Sequence, residues 1–234
     1  MRPEESDSIN AWKIHRRLYP HIQAAWSNVK AYAAPVDDGK SVPFLAALDI
    51  VATSLRLQGQ YEFAEEVLLR LLKGNEFAHG PHNQYTLDTL ANLASTYDLR
   101  GNLSKSEELY RQAIEGLTAV LGPEHRKTLS FLHNLANVLK YRNKSAEAET
   151  FYKQALEGRQ KLGEDDFDTL ETMDALANLY YSTRRTADAE PLRRFVLDVR
   201  ERRLGPLHHE TLITVLNMGI LYSGLGKGEH ALEL

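Results

Sequence analysis

The chain has no cysteine among its 234 residues. This absence excludes a disulfide framework, a thiol nucleophile and any zinc site that uses cysteine ligands. The chain also lacks an apolar run near the roughly 20 residues that a membrane-spanning helix needs. A formal net charge of -4 favours neither nucleic acid nor an anionic membrane surface as a partner. These absences together predict a cytoplasmic protein that binds no nucleic acid and no membrane.

The sequence also lacks the residue spacings that are typical of catalytic and phosphate-binding motifs. A phosphate-binding loop needs Gly-x-x-x-x-Gly followed by lysine and then serine or threonine. Gly219 and Gly224 have the required separation, but Leu225 follows them where the motif needs lysine. The serines, threonines and carboxylates show no nucleophile elbow or other catalytic arrangement. The sequence therefore predicts no enzyme activity and no cofactor.

What the chain does contain is an internal repeat, and the fold prediction depends on it. A glycine stands six residues before a Thr-Leu pair in four copies, at Gly80–Thr86, Gly122–Thr128, Gly163–Thr169 and Gly205–Thr211. The threonines recur every 41 or 42 residues, and proline follows the glycine in every copy except the third. An earlier copy without this element begins near Leu48. The chain thus contains five repeat registers, and the last is cut off at Leu234.

The apolar residues of each copy fall at i, i+3, i+4 and i+7, which is the period of an α-helix. Each copy therefore predicts two helices joined by a short turn. Small residues recur where the two helices must approach closely, at Ala52, Ala94, Ala136, Ala177 and Gly219 in the first helix and at Ala64, Ser106, Ala148, Ala189 and Ala231 in the second. Gly59, Gly101 and Gly226 stand where the first helix should end in a left-handed cap. Because one such hairpin cannot bury its apolar face alone, neighbouring copies must stack.

The copy that begins at Gly80 resembles the tetratricopeptide consensus in its small Ala94, aromatic Tyr97, Gly101, small Ser106 and Tyr110. The long period and the Leu-Gly-Pro-x-His-x-x-Thr-Leu linker are similar to the variant found in kinesin light chains. That variant also occurs in the sensor arrays of NB-ARC/NACHT signalling proteins. The resemblance implies an all-α fold, a right-handed superhelical solenoid of antiparallel helix pairs. The third copy departs from the pattern and is expected to differ in curvature or contacts, at Glu164, Ala175 and Arg184.

Two parts of the chain are predicted. Residues 1–42 form a helical lead-in and loop, in which Pro20 should break a helix and residues 35–43 form the loop. The segment from Leu18 to Ala24 is similar to one that leads into NB-ARC-type repeats. Residues 43–234 form the array of about four and a half repeats. Because the array stops inside a second helix, we expect a longer native protein, a partner that covers this end, or a homodimer through it.

Histidines and basic residues form two clusters, and the pattern favours a structural role for each. The linker histidines are His79, His82, His125, His208 and His209. Equivalent linkers lie one repeat apart, so these side chains are predicted to organise the linkers rather than to converge on a metal. Arginines also gather between Arg184 and Arg203, with acidic residues among them. This mixture favours a solvated outer face over a site for an acidic partner.

Recurring asparagines give the candidate binding site. Asn92, Asn134 and Asn217 stand two residues before the small packing residue, which points them away from the partner helix and towards a concave groove. An amide has both a donor and an acceptor and can pair with any extended backbone, and the resemblance implies this role. The alternative is that the asparagines only bridge adjacent helices. The candidate partner-binding residues are Asn92, Ser95, His133, Asn134, Asn137, Lys140, Asp174, Asn178, Tyr181 and Asn217.

The functional hypothesis is a protein–protein interaction module that binds a peptide or partner protein in this groove. The resemblance implies the sensor or scaffold part of a larger NB-ARC/NACHT-type protein, and the alternative is a kinesin-light-chain-like cargo adaptor or free-standing scaffold. An upstream nucleotide-binding domain would favour the first, and upstream heptads would favour the second. The groove carries more acid than base near Asp88, Glu171 and Asp174, which predicts a basic or mixed peptide.

Overall fold

A computed structural model describes residues 42–224 of the chain. This part is built from α-helices joined by short turns and contains no strand. The helices are α1 (Val42–Leu57), α2 (Tyr61–His79), α3 (Gln84–Leu99), α4 (Leu103–Leu121), α5 (Arg126–Tyr141), α6 (Ser145–Leu162), α7 (Phe167–Ser182), α8 (Thr186–Leu204) and α9 (His209–Gly224). Each helix packs against the next in chain order within the two units defined below, as the predicted all-α helix pairs require. The fold class is confirmed.

Two compact units divide the chain between Asn102 and Leu103. The first contains α1, α2 and α3, and the second contains α4 to α9. The predicted boundary at residues 42 and 43 and the predicted lead-in lie at or outside the edge of the described residues. The loop predicted to end at Pro43 is wrong in its last two residues, because α1 begins at Val42. Proline is tolerated there because the first turn of a helix has no intrahelical acceptor for its N–H groups.

Small residues fill the positions where helices approach, as predicted. Ala64, Ser106, Ala148 and Ala189 on the second helices each have 0% of their surface exposed. Ala94 and Ala136 on the first helices are equally buried. A larger side chain at these positions would push the helices apart, because protein cores are packed at crystal-like density. The equivalent Ala231 lies outside the described residues.

The turn between the two helices of each repeat depends on one residue with a left-handed backbone. Gly59 and Gly101 adopt φ angles of 73° and 79°, which confirms the predicted caps. Asn143 and Arg184 occupy the same repeat position with φ angles of 60° and 62°. The third copy therefore keeps the turn geometry although it lacks the glycine. Arg184 carries the steric cost that glycine avoids, which is roughly 1–2 kcal/mol for an L-residue in this conformation.

The linker between repeats is held by a hydrogen bond from threonine to glycine. The hydroxyl of Thr86 donates to the carbonyl of Gly80 at 2.8 Å. The same bond joins Thr128 to the carbonyl of Gly122 at 2.9 Å, and Thr169 to that of Gly163 at 2.7 Å. This bond explains the spacing of six residues in the sequence. The hydroxyl of Thr211 is also buried, but it has no hydrogen-bond partner within residues 42–224.

Ion pairs tie the second helix of one repeat to the turn of the next. In the second unit, Glu107 of α4 accepts from Lys144 at 2.9 Å, from Arg142 and from Arg111. Burial alone would raise the pKa of the Glu107 carboxyl, but the hydrogen bonds from these three cations hold it below its usual range. Glu149, one repeat later, pairs with Arg185 at 2.7 Å. These carboxylates therefore fix the spacing of consecutive repeats.

We expect Thr128→Val to lower the free energy of unfolding by about 1–2 kcal/mol, because the hydroxyl that closes the linker is lost. Thr211→Val is the matched control, and it should change the stability by less than about 0.5 kcal/mol because its hydroxyl bonds to nothing in the described structure. Urea unfolding followed by circular dichroism measures both values. Equal losses in the two variants would contradict the role of the hydrogen bond.

Arg184→Gly should raise the free energy of unfolding by about 0.5–1 kcal/mol, because glycine adopts a positive φ without steric cost. The Arg184 side chain makes no hydrogen bond or ion pair within the described part of the chain, so its removal should cost little. Gly101→Ala places an L-residue in the same backbone conformation and should have the opposite effect. The same urea titration measures both changes, and a loss of stability in Arg184→Gly would show that the side chain matters.

Candidate functional site

The asparagine stripe consists of the two positions that flank the small packing residue of each first helix, two residues before it and one residue after it. Its members are Ile50 and Thr53 on α1, Asn92 and Ser95 on α3, Asn134 and Asn137 on α5, Ala175 and Asn178 on α7, and Asn217 and Ile220 on α9. All of these side chains are exposed or half-buried. The predicted offset therefore places them at the surface. Binding of a partner there stays a prediction.

In the first unit, an arginine holds the stripe residues of α3. Arg56 of α1 donates from Nη1 to Oδ1 of Asn92 at 3.0 Å and from Nη2 to the hydroxyl of Ser95 at 2.7 Å. Asp49 lies nearby, and burial together with the charge of Asp88 raises the pKa of its carboxyl. Asn92 and Ser95 thus bridge neighbouring first helices, as the structural alternative proposed for the asparagines requires.

On α5 the two asparagines differ in their contacts. The buried hydroxyl of Tyr152 bonds to Oδ1 of Asn137 at 2.5 Å. Burial raises the pKa of the Tyr152 hydroxyl, so it stays protonated at neutral pH. The side chain of Asn134 makes no hydrogen bond within residues 42–224. Asn134 therefore keeps both its donor and its acceptor for another molecule.

His133 belongs to the core, although it was predicted to line the groove. Only 4% of its surface is exposed, and its Nδ1 lies 3.2 Å from the hydroxyl of Thr172 on α7. That hydroxyl donates to the carbonyl of Asp168 at 2.9 Å, so Nδ1 of His133 is the donor to Thr172. Burial and the charges of Arg159 and Lys140 lower the pKa of the His133 imidazole to about 4. The side chain is thus a neutral link between two first helices.

Lys140 is a half-buried cation at the end of α5. Its ammonium lies 4.8 Å from the centre of the Tyr141 ring, and no carboxylate of the described residues pairs with it. Burial lowers the pKa of this ammonium. An unpaired cation with reduced hydration attracts an anionic group more strongly than a fully hydrated one. Lys140 is therefore suited to hold an acidic group of a partner.

Arg193 holds the stripe at the junction of α7 and α9. Its guanidinium donates to Oδ1 of Asn178 and to the main-chain carbonyl of Asn217. The same guanidinium lies 5.8 Å from the centre of the Tyr181 ring, which is partly exposed. The amide of Asn217 makes no hydrogen bond within the described part of the chain. Asn134 and Asn217 thus carry unpaired amides, and Asn178 is held by an internal partner.

Asp174 is mostly engaged inside the protein. Its Oδ2 accepts from Arg200 at 2.7 Å, while its Oδ1 is buried without a partner in the described residues. Burial raises the pKa of the Asp174 carboxyl despite the nearby arginines. Glu171 on the same helix is exposed, and partial desolvation raises the pKa of its carboxyl. Glu171 is therefore the exposed acidic residue of α7.

The exposed surface of α9 beside Asn217 is apolar. Ile213, Leu216 and Ile220 are 49%, 64% and 44% exposed. The corresponding surface of α7 carries charged and polar groups, such as Glu171 and Asn178. A partner that lies along both helices would therefore contact a polar surface on α7 and an apolar surface on α9.

The arginines of α8 were predicted to form a solvated outer face, and this is wrong for two of them. Arg193 and Arg200 are only 2% and 5% exposed. The repeat register indicated that Arg193 is buried, because Arg193 occupies the repeat position at which Tyr110 and Tyr152 lie in the core. The exposed arginines of this helix pair with carboxylates as expected, in the pairs Arg194 with Glu190, Arg202 with Asp198 and Arg203 with Asp165.

A polar link recurs between a second helix and the following first helix at three of the four such junctions of the described residues. The donors and acceptors are Asn75 and Thr89, Arg159 and Thr172, and Arg200 and Thr214. Asn75 and Thr89 lie 2.9 Å apart, and Arg200 and Thr214 lie 2.6 Å apart. The helices α4 and α5 carry apolar residues, Leu117 and Phe131, at the same repeat positions. Sequence inspection missed this link because its residue types vary between copies.

Linker histidines cap the first helices. Nδ1 of His125 accepts from the N–H of Lys127 at 3.2 Å, and Nδ1 of His208 accepts from the N–H of Glu210 at 3.3 Å. Asn83 occupies the equivalent place before α3 and caps it in the same way. A side-chain acceptor here satisfies an N–H group that has no partner within the helix. No group of three potential ligands within residues 42–224 is arranged to hold a metal ion.

Comparison with solved structures supports a solenoid of tetratricopeptide type. BtubC (BKLC) from P. vanneervenii is 23% identical with a TM-score of 0.75, over 94% of this chain and 87% of that chain. A putative kinesin light chain from Podosopora anserina is 21% identical with a TM-score of 0.72, over 81% of this chain and 90% of that one. Rap protein complexed with competence and sporulation factor is 16% identical with a TM-score of 0.62, over 78% and 49%. No curated protein matches the chain.

The geometry defines a class of protein, an array of stacked helical hairpins. The tetratricopeptide repeat family model matches residues 44–119, 99–161 and 128–194, which together span more than half of the chain. The chain belongs to the tetratricopeptide repeat family. Within residues 42–224, no helix combines the length and apolar character that crossing a membrane requires.

The stability of the protein should decrease in acid because of His133. The folded state holds the pKa of this imidazole at about 4, against 6.5 in the unfolded chain. The unfolded state therefore binds the proton more readily, and up to about 3 kcal/mol of stability is lost as the pH falls from 6.5 to 4. In His133→Gln this contribution to the pH dependence should disappear. Urea unfolding at several pH values measures it, with the exposed His209→Gln as control; identical pH profiles for His133→Gln and the natural chain would contradict it.

Proposed function

We propose that this chain is a protein–protein interaction scaffold and that the part of the asparagine stripe on α5, α7 and α9 binds an extended segment of a partner. Membership of the tetratricopeptide repeat family supports the general role. The observation that carries the specific site is the pair of unpaired, partly exposed amides of Asn134 and Asn217. An amide that has no internal partner can form hydrogen bonds with any extended backbone. The structurally similar Rap protein is complexed with competence and sporulation factor, which agrees with a binding role for this fold.

The ten candidate residues take different parts in this proposal. Asn134, Asn217, Lys140 and Tyr181 offer side chains at the surface, and Asn92, Ser95, Asn137 and Asn178 are surface groups held by internal partners. His133 and Asp174 support the stripe from within. The exposed groups of the second unit then determine the peptide: Lys140 of α5 attracts an acidic residue, and the apolar surface of α9 takes an apolar one. Glu171 attracts a basic residue between them, so the peptide has mixed charge.

A more specific proposal concerns the kind of protein in which this array acts. The likeness to kinesin-light-chain-like structures favours a kinesin-light-chain-like adaptor or a free-standing scaffold in the cytoplasm. The comparisons give no support to a link with NB-ARC or NACHT proteins, and the sensor role stays a prediction from the linker sequence.

The binding site can be tested with short linear peptides selected from a random display library on the natural chain. The double variant Asn134→Arg with Ile220→Arg places bulky cations on the stripe and should weaken a selected, synthesised peptide by about tenfold or more. The control is Gln154→Arg with Gln160→Arg on exposed positions of α6, which adds the same charge elsewhere. Isothermal titration calorimetry measures the affinities. Equal affinity for both variants would place binding away from the stripe.

A further inference from the structure

Every asparagine of the stripe that has an internal partner uses the same atom. Oδ1 of Asn92 accepts from Arg56, Oδ1 of Asn178 accepts from Arg193, and Oδ1 of Asn137 bonds to the hydroxyl of Tyr152. The amide nitrogen Nδ2 of each forms no hydrogen bond within residues 42–224. The first of these contacts lies in the first unit and the other two lie in the second. The same orientation therefore arises independently in both units.

The orientation of each amide is fixed by its internal partner, which donates the hydrogen bond. An arginine has only donors, so the atom of Asn92 or Asn178 that faces the guanidinium must be the carbonyl oxygen. The hydroxyl of Tyr152 is buried and protonated, and its proton has no other acceptor among the described residues. It is therefore donated to Oδ1 of Asn137. The two N–H bonds of each amide are then left without an acceptor among the described residues.

Asn75 shows the opposite arrangement. It is buried, with 5% of its surface exposed, and its Nδ2 donates inward to the hydroxyl of Thr89 at 2.9 Å. The same nitrogen also lies 3.4 Å from the main-chain carbonyl oxygen of Tyr85, so the N–H groups of this amide are used within the core. The stripe asparagines differ because their internal partners donate, which leaves the amide N–H groups for solvent or for a ligand.

Arg193 strengthens the case because it replaces a different residue. The equivalent position holds Tyr152 in the preceding repeat, and both side chains donate to the stripe asparagine that precedes them by fifteen residues. A phenol and a guanidinium share little apart from a donor at the end of a long side chain. The orientation of the amide is therefore the property that the two repeats have in common.

We propose that Tyr152 and Arg193 are positioning residues that turn the asparagine stripe of the second unit into a set of hydrogen-bond donors, so that the partner presents acceptors, the main-chain carbonyl oxygens of an extended segment. Arg56 orients Asn92 of the first unit in the same way. Donors that recur once per repeat need an acceptor that recurs along the ligand whatever its side chains are, and main-chain carbonyls meet this condition. The positive charge of Arg193 behind Asn178 polarises the amide and strengthens its N–H groups as donors. This inference rests on the proposed function and specifies the chemistry of its site.

The deciding variant is Asn178→Asp, which has the same shape but replaces the N–H groups by an acceptor oxygen. Its new carboxylate still accepts from Arg193, so the melting temperature should stay within a few degrees of that of the natural chain. A synthesised peptide selected on the natural chain should bind the variant about tenfold more weakly or worse. Asn143→Asp is the matched control, because Asn143 lies in a turn away from the stripe and aspartate tolerates its backbone. Binding of Asn178→Asp within about twofold of the natural chain would overturn the inference.

A second series tests the positioning role. Arg193→Met removes the donor and should weaken the peptide, whereas Arg193→Tyr restores a donor of the kind found at Tyr152 and should recover most of the affinity. A merely structural role would make affinity follow the melting temperature in both variants instead. Failure of tyrosine to recover binding better than methionine at equal melting temperature would also overturn the inference.

One measurement needs no peptide. In nuclear magnetic resonance, the Nδ2 protons of Asn178 should exchange with water at the rate of exposed amides, while those of Asn75 should be protected by their internal hydrogen bond. Protected Nδ2 protons at Asn178 would overturn the inference even if peptides bind. Failure of the natural chain to select any peptide would reject the proposed function and with it the role assigned to the donors.

Discussion

The rest of the array depends on the hydrogen bond from the linker threonine to the glycine that precedes it by six residues. This bond fixes where α3, α5 and α7 begin, and the left-handed residue at the other end fixes where these helices stop. A helix whose two ends are fixed also has a fixed rotation about its axis. Residues at the same repeat position on α5 and α7 therefore lie on the same face of their helices. The asparagine stripe is a consequence of this constraint.

The interior of the second unit combines close apolar packing with buried charge. Ala136 and Ala148 are fully buried and allow the helices to approach, while Arg159, Arg193 and Arg200 remain within the same interior. Burial of a cation is unfavourable unless hydrogen bonds replace its hydration. Threonine hydroxyls, amide oxygens and main-chain carbonyls supply those bonds. The arginines thus link the core to the surface groups on which binding is proposed to depend.

The helices and turns could be predicted from the sequence because they follow from a period and from residue types with strong backbone preferences. Glycine at Gly59 and Gly101 signals a left-handed turn, and the small residues signal close packing. Arg193 and His133 could not be placed in this way, because arginine and histidine are usually exposed and only their repeat register indicates a core position. The orientation of the Asn178 amide could not be predicted from the sequence either, because it depends on a partner in another helix.

The polar links between neighbouring repeats have a consequence for the arrangement of the array. Each link pairs a residue of one repeat with a residue of the next, and the polar pairs are not interchangeable with the apolar pair Leu117 and Phe131 between α4 and α5. If α6 were moved to precede α5, the guanidinium of Arg159 would face the ring of Phe131, and no hydroxyl would accept its hydrogen bond. A permuted array would therefore contain mismatched junctions although every single repeat remained intact. The linear order of the repeats is specified by the junctions as well as by the covalent chain.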